Sequence, residues 1–146
     1  VEGVREGAYY YDRREEALRL LKAGSFRSMA GYLCLEQALA ADASCVVFLM
    51  VELDRVLEEL GDRGYRAAQL EAGVVAGKLY LAAYSLGLGA TGLTFYDDDV
   101  AAFFKPDTDT LANMLTVAVG IPAYKARMGR IYTGVVQHPK GGPSRP

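Results

Sequence analysis

The chain has 146 residues, of which 51% are apolar and 23% charged; this is the makeup of one globular domain and excludes a disordered, collagen-like or fibrous chain. With 16 basic and 18 acidic residues the net charge is −2, which excludes a nucleic-acid binder that works through bulk positive charge. The longest apolar stretch, residues 72–90, is interrupted by Lys78 and seeded with glycines, so no membrane span is expected.

In chain order, Ala8-Tyr9-Tyr10-Tyr11 and Ala17-Leu18-Arg19-Leu20-Leu21 read as the two strands of a hairpin, joined by the polar Asp12-Arg13-Arg14-Glu15. Ser25 can cap a helix over residues 26–40, with Met29, Leu33 and Gln37 on one face. The unbroken apolar run at 44–51 has the look of a strand buried on both faces. A short helix is expected over 52–60, ended by Gly61-Asp62-Arg63-Gly64, and a long one over 65–86, about 33 Å if wholly helical. The long helix carries Gly73 and Gly77 in its interior, each unfavourable by about 1 kcal/mol against alanine, an expense close packing should offset. Gly87 should end it in a left-handed cap. An extended segment follows at 90–95, then a helix begun by Asp97-Asp98-Asp99, whose carboxylates suit the positive end of the helix dipole. A second apolar strand at 111–120 completes a β-β-α-β-α-α-β-α-β order, which points to an α+β or α/β layer fold around a mixed sheet, α+β being the class expected. Four of the 5 prolines lie beyond residue 120, so an extended tail is expected there.

Few residues carry chemistry on their own. His138, the 1 histidine, stands in the tail with no cysteine or carboxylate at ligand spacing, so no metal site is expected. Cys34 and Cys45 sit in apolar company without a C-x-x-C pattern and read as buried free thiols of a cytoplasmic protein. Gly87-Leu88-Gly89-Ala90-Thr91-Gly92 spells G-x-G-x-x-G, but it runs from helix into strand, the reverse of a dinucleotide loop. Gly89 and Gly92 do allow backbone N–H groups to approach a flat ligand. The densest basic cluster, Tyr124-Lys125-Ala126-Arg127-Met128-Gly129-Arg130, is either solvated surface or a clamp for a phosphate.

Several stretches together resemble the nitroreductase-type flavoproteins, in particular the branch of SagB-type dehydrogenases. Gly61-Asp62-Arg63-Gly64-Tyr65-Arg66, Leu70-Glu71-Ala72-Gly73 and Leu79-Tyr80-Leu81-Ala82-Ala83 resemble its G-x-R-G-Y-R, L-E-A-G and L-Y-L-A-A signatures. Leu86-Gly87-Leu88-Gly89-Ala90-Thr91-Gly92-Leu93, the aspartate-rich helix start and Val117-Ala118-Val119-Gly120 follow in the same order, and ahead of them Gly7-Ala8-Tyr9-Tyr10-Tyr11-Asp12 and Ala17-Leu18-Arg19-Leu20-Leu21 resemble the branch's hairpin. The resemblance implies a mixed sheet flanked by helices with a long central helix, over a domain spanning 1–130, with 131–146 as the tail. It also implies an FMN-dependent oxidoreductase that works as an intertwined homodimer, FMN lying at the interface. The family's loop against the isoalloxazine corresponds to Gly92, Leu93, Thr94 and Phe95, and its phosphate-holding cations to Lys125 and Arg127, with Arg130 a weaker candidate. A hydride then passes from a nicotinamide cofactor, NAD(P)H, or from another donor to the flavin and onward to a small-molecule substrate, with no obligatory side-chain nucleophile.

The chain also departs from the family. Arg13-Arg14 is followed by Glu15-Glu16 where an R-R-S-x-R-type segment would hold phosphate and ribityl chain, and the S-x-G-x-x-x-P segment expected ahead of the hairpin is not in this sequence. Lacking these segments, the chain resembles only the C-terminal two-thirds of the family domain, and it is expected to be completed by an N-terminal segment or a second chain. Glu59-Leu60 stands where azoline-oxidising members carry Lys-Tyr, so thiazole or oxazole formation is not expected. The alternative expectation is a flavin-free, degenerate relative acting as a binding or structural subunit.

Overall fold

A computed structural model describes residues 1–104 and 111–123. Strands β1 (Gly7–Asp12) and β2 (Ala17–Ala23) pair antiparallel as the expected hairpin, with Asp12 opposite Ala17. Asp12 fixes the turn: its carboxylate accepts the N–H of Arg14 at 2.9 Å and of Glu15 at 3.3 Å, and pairs with Arg19 at 2.8 Å. These backbone donors, with the guanidinium beside them, hold the Asp12 carboxyl below its ordinary range. At the open end Lys22 ties the hairpin to the rest of the fold. Its ammonium donates to the Phe103 carbonyl at 2.5 Å and lies 4.4 Å from the centre of the Phe103 ring.

Where the sequence predicts one helix over 26–40, the structure has two, α1 (Arg27–Leu33) and α2 (Ala38–Asp42). Leu35 and Glu36 between them take left-handed backbone, with φ of 57° and 53°. The reason is tertiary: the Leu33 carbonyl, which a continuing helix would offer to Gln37, instead accepts the N–H of Tyr96 at 2.9 Å. Nor does Ser25 act as the cap, since Phe26 occupies that position with no side-chain bond.

Strand β3 (Cys45–Glu52), helix α3 (Leu53–Leu60), helix α4 (Arg63–Ser85), strand β4 (Gly89–Leu93), helix α5 (Asp97–Phe104) and strand β5 (Leu111–Gly120) follow close to their expected bounds. The second sheet has the order β3-β5-β4. The α+β class and the long helix are as expected, whereas every pairing among the described residues is antiparallel and the strands divide into two sheets rather than one mixed sheet. The strand buried on both faces is β5, not β3. Lying between two neighbours, β5 has Thr116 and Val117 fully buried and Asn113, Met114 and Ala118 nearly so. At the sheet's edge β3 is only half-buried, and Cys45, expected inside, is exposed. Cys34 is buried, and burial pushes its thiol pKa up.

Side chains alternate across a strand, and the two faces of the sheet meet different helices. Ala68 and Ala72 of α4 pack on Met114, with Leu49, Val51, Ala112 and Leu115 around them. On the other face the ring of Phe48 meets Phe104 of α5, centroids 5.3 Å apart. Helix α4 ends as expected: Gly87 has a φ of 72°, its N–H bonds the Tyr84 carbonyl at 3.0 Å, and the Leu88 N–H bonds the Ala83 carbonyl at 2.8 Å. This is the double hydrogen bond of a Schellman cap, and it turns the chain directly into β4. Gly87→Ala forces an L side chain into left-handed backbone and should lower stability by about 1 kcal/mol, with Gly87→Asn losing less, as read by urea titration.

Candidate functional site

The segment expected to face a flat ligand begins in β4 and runs into the link to α5. Gly92 and Thr94 are exposed, while Leu93 and Phe95 are half-buried. Gly92 lies opposite Val117 on β5, which places it on the sheet face that α4 covers. Leu93 lies opposite Thr116 and so belongs to the face beneath α5. Strand β4 pairs with β5 alone among the described residues, so its other edge is open.

That open edge receives a group the sequence did not single out. The N–H of Gly92 donates to the hydroxyl of Tyr80 on α4. Tyr80 follows Ala76 by four residues and precedes Ala83 by three, on the face of the helix that carries the buried alanines. A tyrosine within a row of alanines is the signal that could have found it, since a half-buried hydroxyl needs a polar partner. Were a Cβ present at Gly92 it would lie 3.4 Å from this hydroxyl, so the missing side chain keeps the space beside Tyr80 clear. A flat ring with hydrogen-bond acceptors on its edge suits such a cradle.

Beyond β4, four polar contacts fix the segment and its surroundings. Gln37 donates from Nε2 to Thr94 Oγ1 at 3.2 Å and to the Cys34 carbonyl at 2.7 Å. The Tyr96 hydroxyl donates to Glu36 at 3.1 Å, and the Tyr32 hydroxyl donates to Asp99 at 2.8 Å. The rings of Tyr32 and Tyr96 sit 5.4 Å apart between these bonds. Each carboxylate beside its hydroxyl raises the tyrosine's pKa, because the bond is lost on deprotonation and like charges then meet. Asp97, the first residue of α5, accepts the Asn113 N–H of β5 at 2.8 Å. The aspartate run is thus the expected helix start, and among the described residues no cluster of side chains could hold a metal ion.

Lys125, Arg127, Arg130 and His138 lie outside the described residues. Glu59 and Leu60 are exposed at the end of α3. Among the described residues no helix is long and apolar enough to cross a membrane.

A family model described as the nitroreductase family matches residues 5–121. A protein of Methanocaldococcus jannaschii named as a nitroreductase is 36% identical over 107 residues, 72% of this chain and 54% of the relative. The crystal structure of an Anabaena variabilis protein named as a nitroreductase superposes with a TM-score of 0.78 at 34% identity, over 83% of this chain and 25% of that one. The fold is shared with a Staphylococcus epidermidis protein named as an NAD(P)H:FMN oxidoreductase, at 13% identity and a TM-score of 0.57, over 90% of this chain and 73% of that one. This chain thus spans about half the length of the curated relative and a quarter of the Anabaena chain.

The tyrosine pair gives a prediction with a definite sign. Both folded-state pKa values are raised, so the stability they contribute is complete below the unfolded value, about 10, and is lost as the pH climbs through the raised values. Tyr32→Phe/Tyr96→Phe should be less stable than the parent near neutrality, and the difference should narrow in urea titrations carried to about pH 11.

Proposed function

Because the chain belongs to the nitroreductase family, we propose that it is an FMN-dependent oxidoreductase of the SagB-type branch, acting as a cytoplasmic homodimer. The observation that carries this reading is the open edge of β4. There Gly92 presents a side-chain-free surface and the Tyr80 hydroxyl beside it, while Thr94 is exposed two residues on. The branch assignment is supported by the G-x-R-G-Y-R, L-E-A-G and L-Y-L-A-A sequences, which fall at the start of α4 and along it. FMN bound at this edge supplies reversible hydride transfer between NAD(P)H, or another donor, and a small-molecule substrate. The protein's part is to hold and orient: the β4 edge meets the ring, and Lys125 and Arg127 hold the phosphate by charge.

A second copy of the chain is supported by α4. Its buried face is built from Gly64, Ala68, Ala72, Ala76 and Ala83. Elsewhere on its surface Leu70 and Leu81 are each 72% exposed and Val74 53%. Gly73 and Gly77 stand between them, and among the described residues nothing lies near their would-be Cβ atoms. An exposed apolar stripe on a helix is a natural contact surface, and two glycines a turn apart allow another helix to come close.

This proposal makes two predictions. Gly73→Ala fills open space in the single chain and by helix propensity should stabilise it by up to about 1 kcal/mol. In a dimer packed on this stripe the methyl should instead weaken association. Sedimentation equilibrium on parent and variant separates the two, and a monomeric parent at micromolar concentration would contradict the dimer. The second concerns the cofactor: Lys125→Ala/Arg127→Ala should bind FMN about tenfold or more weakly, and riboflavin, which lacks the phosphate, as the parent does. Fluorescence titration checks this, and a parent that takes up no flavin would favour the flavin-free relative.

A further inference from the structure

We propose that Tyr80 is itself a cofactor-binding residue, its hydroxyl held by the Gly92 N–H and donating its own proton to an acceptor on the edge of the flavin ring. The proposal rests on the flavin reading of the β4 edge given above. A tyrosine hydroxyl has one proton to give and lone pairs to receive, and here one lone pair is committed to Gly92. Among the described residues its proton has no acceptor, although the side chain is half-buried. Such a group is poised to donate outward, and accepting a bond from a backbone N–H makes it a better donor.

The surroundings keep it aimed. Tyr80 is carried on the alanine face of α4, and Tyr84, one turn on, packs against it edge-on with ring centroids 6.0 Å apart. The Schellman cap at Gly87 returns the chain so that Gly92 stands beside Tyr80, twelve residues along the sequence. A direct bond from the Gly92 N–H to a ring would require the Tyr80 hydroxyl to leave, since an N–H has one proton to share. The hydroxyl therefore stands between backbone and ring and passes the bond on. Glycine at position 92 leaves the approach open, because a Cβ there would lie 3.4 Å from the hydroxyl oxygen.

The test uses the full 146-residue chain. FMN and riboflavin are titrated by fluorescence into the parent, Tyr80→Phe, Gly92→Ala and the neighbouring control Tyr84→Phe, with the absorption spectrum of each complex and the melting temperature of each protein recorded. Tyr80→Phe should bind both flavins roughly three- to tenfold more weakly and by the same factor, since they share the ring. The visible band of the bound flavin should shift, a signature that a merely structural tyrosine would not move. Gly92→Ala should weaken both flavins without removing the hydroxyl, and Tyr84→Phe should behave as the parent. Unchanged affinity and spectrum in Tyr80→Phe would overturn the proposal while leaving the flavin reading intact. Tighter binding would overturn it too, because the hydroxyl would then be competing with the ring for the Gly92 N–H. An equal loss in Tyr84→Phe would reduce the effect to a loosened helix. A parent that binds neither flavin would overturn the flavin reading itself, and the role of Tyr80 with it.

Discussion

Strand β5 is the constraint on which the rest of the structure depends. It is paired along both edges, with β3 on one side and β4 on the other, and its Val117 is fully buried. Removing one such valine from water contributes about 1.5–3 kcal/mol, and the neighbouring positions are almost as deeply covered. The pairing also sets the geometry of the site: with Gly92 opposite Val117 and Leu93 opposite Thr116, the exposed glycine and its half-buried neighbour are assigned to opposite faces. Even the start of α5 is tied to this strand, through the carboxylate of Asp97 and the N–H of Asn113.

Helix α4 answers two demands with small residues. Toward the sheet, alanines let the helix lie close over Met114 and the side chains around it. Away from that face, Gly73 and Gly77 leave a flat groove between exposed leucines and Val74. Among the described residues nothing covers that second surface, and the proposed association rests on it. The same helix delivers Tyr80 to the edge of β4, so core packing, the proposed dimer surface and the proposed ring contact share one rigid element. A helix is a better platform for a precise contact than the loop beyond it, since its side-chain directions are fixed by its own hydrogen bonds.

The segment 92–95 is held from outside as well. The broken helix of α1 and α2 turns Glu36 toward Tyr96 and Gln37 toward Thr94, and Tyr32 reaches Asp99. Left-handed backbone at Leu35 and Glu36 is unfavourable by itself, of order 1 kcal/mol or more at each position. It persists because the Leu33 carbonyl and the side chains of Glu36 and Gln37 find partners in the link that follows β4.

Much of this was determined by sequence. The hairpin, the long helix ended by Gly87, the aspartate start of α5 and the strand at 111–120 all follow from local rules: alternation, capping, and charge at a helix end. The family too was legible in the ordered motifs from residue 61 onward. What sequence left open was decided by contacts between distant residues. Two apolar runs of similar character, 44–51 and 111–120, could each have been the central strand, and only pairing placed one at the edge and the other between two neighbours. The helix expected over 26–40 breaks because Tyr96 takes a carbonyl that local propensity assigns to the helix. Tyr80 was visible as part of a motif, but its partner Gly92 is fixed by the turn at Gly87 and the register of β4 on β5. Local preferences are settled within a few residues, whereas a hydrogen bond between a helix and a strand edge exists only once the sheet has set where each of them lies.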